Sequence, residues 1–393
     1  VTLDVASDQV IGSTGVPVEG DPGWADAAAV AGMQPDSQRD AYGAVGAAES
    51  LGFLNAAPAA GRKRVRFVAE DVHHFAWTTN PEYIYEGGAH EDVAIHVLYQ
   101  PGDTAWDDGV AVQRTADAIA FFEDVFGPYV WPQLTNVHRI ENGGTEFPMM
   151  IMDGNAGVGL IVHETGHQWV HGMLANNEWR HGWLDEGVDD FLTTWYAEEA
   201  LGVDDIWQRG VQGMGQFEAR ALAQPLMLAS ADYRDYQTYG AMTYSKTGIV
   251  VYMLREYLGE ETFRRGLREF YDRHALEHVR PVDFFDAFED VSGQDLDWFW
   301  QQWFYETDRL DYGIGDVNVE QAGGEYVTTV EVLRLGDAWM PVTLQVGAET
   351  VELTSRDRRQ LVEVRTAERP TEAEVDPDFR LLDMDRSNNT RAF

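Results

Sequence analysis

The feature that most constrains this 393-residue chain is His163-Glu164-Thr165-Gly166-His167, flanked by Leu160-Ile161-Val162 and Gln168-Trp169-Val170. On a helix, residues four apart lie about 6 Å apart along the axis and on nearly the same face. Two imidazoles so placed can aim at one point, as a tetrahedral zinc ion requires at about 2.0–2.1 Å. Glu164 projects beside that point, where a carboxylate can take a proton from water. The apolar flanks fit the buried helix that a rigid site needs.

Two histidines do not fill such a site, and a third protein ligand is expected. Glu186 is the best placed, nineteen residues past His167 in Trp183-Leu184-Asp185-Glu186-Gly187. A second apolar-periodic stretch begins there and runs through Val188, Phe191, Leu192 and Trp195. An antiparallel neighbour helix, reached through the loop 175–182, could return the carboxylate to the metal. With 67 acids in the chain, one falls at any position about one time in six, so this spacing alone says little. The whole pattern says much more.

His163 to His167, Gln168-Trp169 and Trp183 to Gly187 together resemble the aminopeptidase N and leukotriene hydrolase family of zinc peptidases, the gluzincins. The resemblance implies one Zn2+ per chain, held by His163, His167 and Glu186, with Glu164 as general base. It implies peptide substrates with a free N-terminus. In that family an edge strand before the metal helix carries a Gly-Ala-Met-Glu-Asn-type motif whose Glu grips the substrate's α-amino group. Gly143, Gly144 and Glu146 match it, with Thr145 in place of the Met. Adjacent glycines let a backbone approach a strand closely, and a carboxylate there can pair with an ammonium. A Tyr-x-Lys-Gly-like segment in the family donates a phenol hydrogen bond to the tetrahedral intermediate. Tyr244 fits that role, although Thr247 separates Lys246 from Gly248; Tyr239 is the lesser candidate. Asp190, four residues after Glu186, is a candidate to orient a zinc-ligating histidine from behind.

The expected fold is α+β and multidomain. A partial N-terminal β-domain (1–88) contains a long irregular excursion at 20–61. A thermolysin-like, mostly helical catalytic domain (89–310) follows, and a C-terminal β-sandwich (311–393) closes the chain. Strands are expected at 1–5, 64–69, 71–78, 93–99 and 135–140, and helices at 110–126, 204–224, 242–258, 260–273, 281–291 and 296–304. From about Tyr312, alternating Val, Thr and Leu with Gly and Asp turns read as short strands. His73 and His74, adjacent on an expected strand, would point to opposite faces and could not chelate one ion. They read as structural, as do His171, a further turn past His167, and His181. The chain opens at Val1 in mid-pattern and reads as processed or as a fragment.

The formal net charge is −39, and Lys63 and Lys246 are the two lysines among 28 basic residues. A field this negative repels nucleic acid and anionic membranes. Spread over the whole chain, it reads as a surface adapted to concentrated salt, although steering of cationic substrates is compatible with it. The absence of cysteine excludes disulfides and thiolate ligands. No apolar run is long enough to span a bilayer, and the compartment is not legible. Two alternatives stand beside an aminopeptidase. One is a zinc endopeptidase with the same chemistry; the other is a catalytically idle scaffold that binds partners through its β-domains, against which the intact Glu164 speaks.

Overall fold

Alternating apolar residues lay down the first sheets. In a computed structural model that describes residues 1–30 and 57–393, Thr2–Ala6 pairs antiparallel with Arg62–Val68, Leu3 opposite Val65, and Val16–Glu19 pairs with the other edge of Arg62–Val68. Leu3, Val65 and Phe67 on these strands close one small core with Ile11 of the strand Val10–Ser13. The excursion expected at 20–61 begins differently: Ala25–Val30 is helical, with Trp24 and Ala28 buried. Residues 31–56 of that excursion lie outside the described residues.

By packing, the chain divides into two compact units: Val1–Asn176 with Phe270–Val279, and Asn177–Glu269 with Arg280–Phe393. In the first, the largest sheet has five strands in the order Ile84–His90, Val93–Tyr99, Gln133–His138, Met150–Asp153, Gly144–Phe147. Val93–Tyr99 is buried along its whole length, and runs parallel to Gln133–His138, as a strand covered on both faces does. The helix Val110–Val125 buries Ala111, Thr115, Ala118, Ile119, Phe122 and Val125, the i, i+4, i+7 stripe expected of a helix laid on a sheet. Gly144–Phe147 lies at the sheet edge, Glu146 opposite Ile151.

One strand does not form. Residues 71–76, expected to continue a strand, are irregular; Asp71 takes a left-handed φ of 53°, and pairing resumes only at Trp77–Asn80. His73 and His74 therefore do not stand on opposite faces of a sheet.

The second unit combines helices with two antiparallel sheets. Pro281–Ser292 and the first part of Glu260–His274 lie close to the expected spans, whereas Ile206–Glu218 ends six residues before the expected 224 and Thr247–Leu258 begins five after the expected 242. Aromatic residues fill the space between them: Trp183 stacks on Phe285 at 5.7 Å and Trp207 on Tyr252 at 4.4 Å. Beyond Tyr312 come two antiparallel sheets, one of three strands (Tyr312–Ala322, Glu325–Arg334, Arg359–Thr366) and one of four (Glu349–Leu353, Val342–Val346, Glu372–Val375, Thr390–Ala392). Val342, Leu344 and Val346 are buried while Thr343 and Gln345 between them are half-buried, the period-2 pattern of a sheet with one inner face. The fold class is α+β. Among the described residues, no helix is long and apolar enough to cross a membrane.

Candidate active site

The motif helix runs Val158–Gly166, and His167 sits at its C-terminal cap in right-handed helical conformation. The helix thus ends before the flank Gln168-Trp169-Val170, yet the i, i+4 relation survives: the His167 N–H still donates to the His163 carbonyl at 3.2 Å. The two imidazoles meet at 4.7 Å between centroids and 82° between planes, with their Nε2 atoms 3.3 Å apart. For metal–nitrogen bonds of about 2.0–2.1 Å, the edge of a tetrahedron is about 3.3–3.4 Å. His167 Nδ1 is 3.1 Å from the Val170 carbonyl, which keeps a proton on Nδ1 and puts the ring's lone pair on Nε2. The donor set and its spacing fit a divalent ion such as zinc.

Glu164 lies beside the pair and is 4% exposed. Its Oε2 has no hydrogen-bond partner among the described residues. Burial raises its pKa well above the carboxylate range; Asp153 and Glu146 add to the rise, and His167 and His163 oppose it. Its other oxygen packs on Gly144, where a Cβ would come within 1.9 Å of Oε1. Gly144, read from sequence as room for a substrate backbone, is room for the base. Gly143 has a φ of 79° and open space around its Cα, so its requirement for glycine is conformational.

Gln168, which the sequence offers only as flank, fixes the edge strand to the motif. Its Nε2 donates to the Phe147 carbonyl at 3.1 Å and its Oε1 accepts from the Met149 N–H at 2.8 Å. These bonds clamp the turn of the hairpin Gly144–Phe147/Met150–Asp153, where Met149 takes a φ of 63°. Half-buried Glu146 is thereby held on the strand next to the histidines. Trp169 anchors the same segment from the other side, fully buried on Phe122 with its indole N–H donating to the Gly127 carbonyl at 2.9 Å. Asp153, at the end of the neighbouring strand, is fully buried; burial raises its carboxyl to about 7, while Asn136 and His163 pull it down. A strand-end Asp before a glycine turn carries no signal in sequence that would single it out.

The other candidates lie in the second unit. Trp183–Gly187 forms a π-helical turn, not the first turn of an α-helix, and Val188–Glu199 continues from it. Tyr244 sits on a second π-helical turn, Ala241–Lys246, ahead of Thr247–Leu258. Such turns insert an extra residue into a helix and occur often at functional sites. The two touch through Gly187, where a Cβ would meet the Thr243 carbonyl oxygen and Thr247 Cβ, each at 2.3 Å. Contact brings the candidates together: the Tyr244 phenol hydrogen-bonds the Glu186 carboxylate. Burial foremost, then the Glu186 charge, raises the Tyr244 phenol far above its usual range, so it stays protonated as a donor. Tyr239 is 6.1 Å away, ring to ring, and burial pushes it up to about 12, with Glu186 again contributing. Lys246 closes the turn from below, its side chain wholly buried and 2.9 Å from Glu218. Asp190 faces Gly248, whose Cβ would lie 3.0 Å from its Oδ2, and borders a cavity of about 550 Å³ lined by Trp207, Met214 and Ile249.

Residues 110–303, which include every one of these side chains, match the family model described as the peptidase family M1 domain. Residues 110–303 carry a peptidase family M1 domain. Among curated M1-type relatives, the mitochondrial aminopeptidase 2 of Saccharomyces cerevisiae is 24% identical over 271 residues, 61% of this chain and 28% of that protein. The aminopeptidase N of Plutella xylostella is 25% identical over 186 residues, 42% of this chain and 20% of that protein. Among solved structures, the aminopeptidase A of Legionella pneumophila, determined in complex with aspartic acid, superposes with a TM-score of 0.72 at 15% identity. That match covers 97% of this chain and 44% of the other, and it is a likeness of fold. The matched stretches are under a third of the length of either curated relative.

Proposed function

We propose that this M1 chain is a zinc-dependent aminopeptidase, with His163, His167 and Glu186 holding one catalytic Zn2+. The observation that carries the reading is the pair of Nε2 atoms set 3.3 Å apart with the buried, unpartnered Glu164 oxygen beside them. Zinc, when bound, supplies a Lewis acid that polarises a carbonyl and lowers the pKa of water. Glu164 takes the proton from the attacking water and delivers it to the leaving amine; a raised pKa suits a group that must do both near neutrality. Tyr244, kept protonated, donates to the developing oxyanion, and its bond to Glu186 aims the phenol before substrate arrives. Glu146 on the edge strand takes the substrate ammonium and so sets an N-terminal register. Relatives named as aminopeptidases support this register.

Two variants, measured together for zinc content and turnover of an L-aminoacyl arylamide, test the assignment. Glu164→Gln should keep its tightly held zinc and lose turnover, because it removes the base and no ligand. His167→Ala should lose both. Full tight zinc occupancy in His167→Ala, or turnover retained in Glu164→Gln, would show that the motif is not used in this way.

A further inference from the structure

His73, His74 and His171 form a separate cluster within the first unit. The break in the strand after Arg62–Val68, with Asp71 left-handed, lets the rings of His73 and His74 meet edge-on at 4.6 Å. His171, with a φ of 131°, is turned out of the line of the motif helix and buried at 3% exposure. Its ring lies 4.9 Å from that of His73 and 5.8 Å from that of His74. One ring nitrogen from each of the three lies within 4.8 Å of the others. We propose that these three histidines are a second metal site, which takes a divalent transition ion such as Zn2+ in addition to the ion at His163 and His167.

Two observations support a ligand set over a packed aromatic cluster. His73 Nε2 is 2.8 Å from the His171 carbonyl, so Nε2 carries the proton and Nδ1 presents its lone pair. A carbonyl that fixes the tautomer and the ring plane is the usual support behind a metal-bound histidine. A backbone held at φ 131° in a non-glycine residue is strained, and such strain gathers where a side chain must be presented. A tetrahedral edge of roughly 3.3 Å lies inside that 4.8 Å limit. His74 is exposed, so its ring can turn onto the ion without disturbing the core. His278, with its ring 6.5 Å from that of His73, stands at the rim. An all-imidazole set favours Zn2+, Cu2+ and Ni2+ over Mg2+ and Ca2+. The ion would sit beside the substrate edge: the His74 ring is 6.2 Å from Phe147, the neighbour of Glu146.

The test is titration of the whole, metal-stripped chain with Zn2+ at neutral pH in molar NaCl, read as equivalents bound and their Kd values. Wild type should take up one tight and one weaker equivalent, with no second equivalent for Mg2+. His74→Ala removes an exposed side chain and leaves packing intact; it should weaken the second equivalent by about 10-fold or more and leave the first alone. His73→Gln should do the same. Saturation of wild type at one equivalent, or two unchanged equivalents in His74→Ala, overturns the second site. In the same titration His163→Ala should lose the tight equivalent and keep the weaker, so failure of the catalytic assignment is read separately from failure of this one.

Discussion

At the scale of single residues, the grouping of His163, Glu164 and His167 is made within one helical turn, and its supports come from distant segments. His163, His167 and Glu164 are legible because one helical turn fixes their relation whatever surrounds it. Gln168 is not legible as a clamp, since its two bonds run to a hairpin about twenty residues upstream. Gly144 is legible as a glycine that matters, but its reason lies in the Glu164 carboxylate packed on it, a contact that spacing cannot give. Tyr244 and Tyr239 are separated by environment: both phenols are raised, but only Tyr244 owes part of its shift to a hydrogen bond with Glu186. Tyr244→Phe should therefore lower kcat by about 10²–10³ with little change in KM, because an oxyanion donor acts on the transition state. A larger effect from Tyr239→Phe in the same assay would exchange the two roles.

At the scale of elements, regular patterns come through and irregular ones do not. The helix Val110–Val125 and the strand Val93–Tyr99 follow from periods of 3.6 and 2. The two π-helical turns escape a reading in multiples of 3.6, because each shifts the register by one residue. Strands Glu349–Leu353, Glu372–Val375 and Thr390–Ala392 escape it because their exposed polar residues hide the alternation. The irregular segment at 71–76 escapes for the opposite reason, its composition being that of a strand. The π-turns give the element scale its prediction. Gly187→Ala places a methyl 2.3 Å from the Thr243 carbonyl and must push the two turns apart. Overpacking of this kind costs about 1–3 kcal/mol. The thermal midpoint should fall, and kcat should fall further than in a surface Gly→Ala control such as Gly213→Ala. An unchanged midpoint and kcat would show that the turns are not coupled through Gly187.

For the whole molecule, charge and chemistry set separate expectations. With 67 acids against 28 bases, dilute buffer leaves a surface whose self-repulsion favours expansion. The screening length is roughly 10 Å at 0.1 M salt and about 3 Å at 1 M. Thermal stability should accordingly rise from low to molar NaCl or KCl at neutral pH, with unchanged zinc content. A flat or falling midpoint would assign the charge to steering of cationic substrates, and kcat/KM for basic peptides would then fall with salt. The chemistry is tested most directly by one comparison, kcat/KM of the zinc-loaded chain on an L-aminoacyl arylamide and on its N-acetylated counterpart in molar NaCl. Glu146 gripping a free ammonium predicts cleavage of the unblocked substrate and at least about 10²-fold discrimination against the blocked one. Equal rates on the two, or a preference for the blocked substrate, would contradict an aminopeptidase.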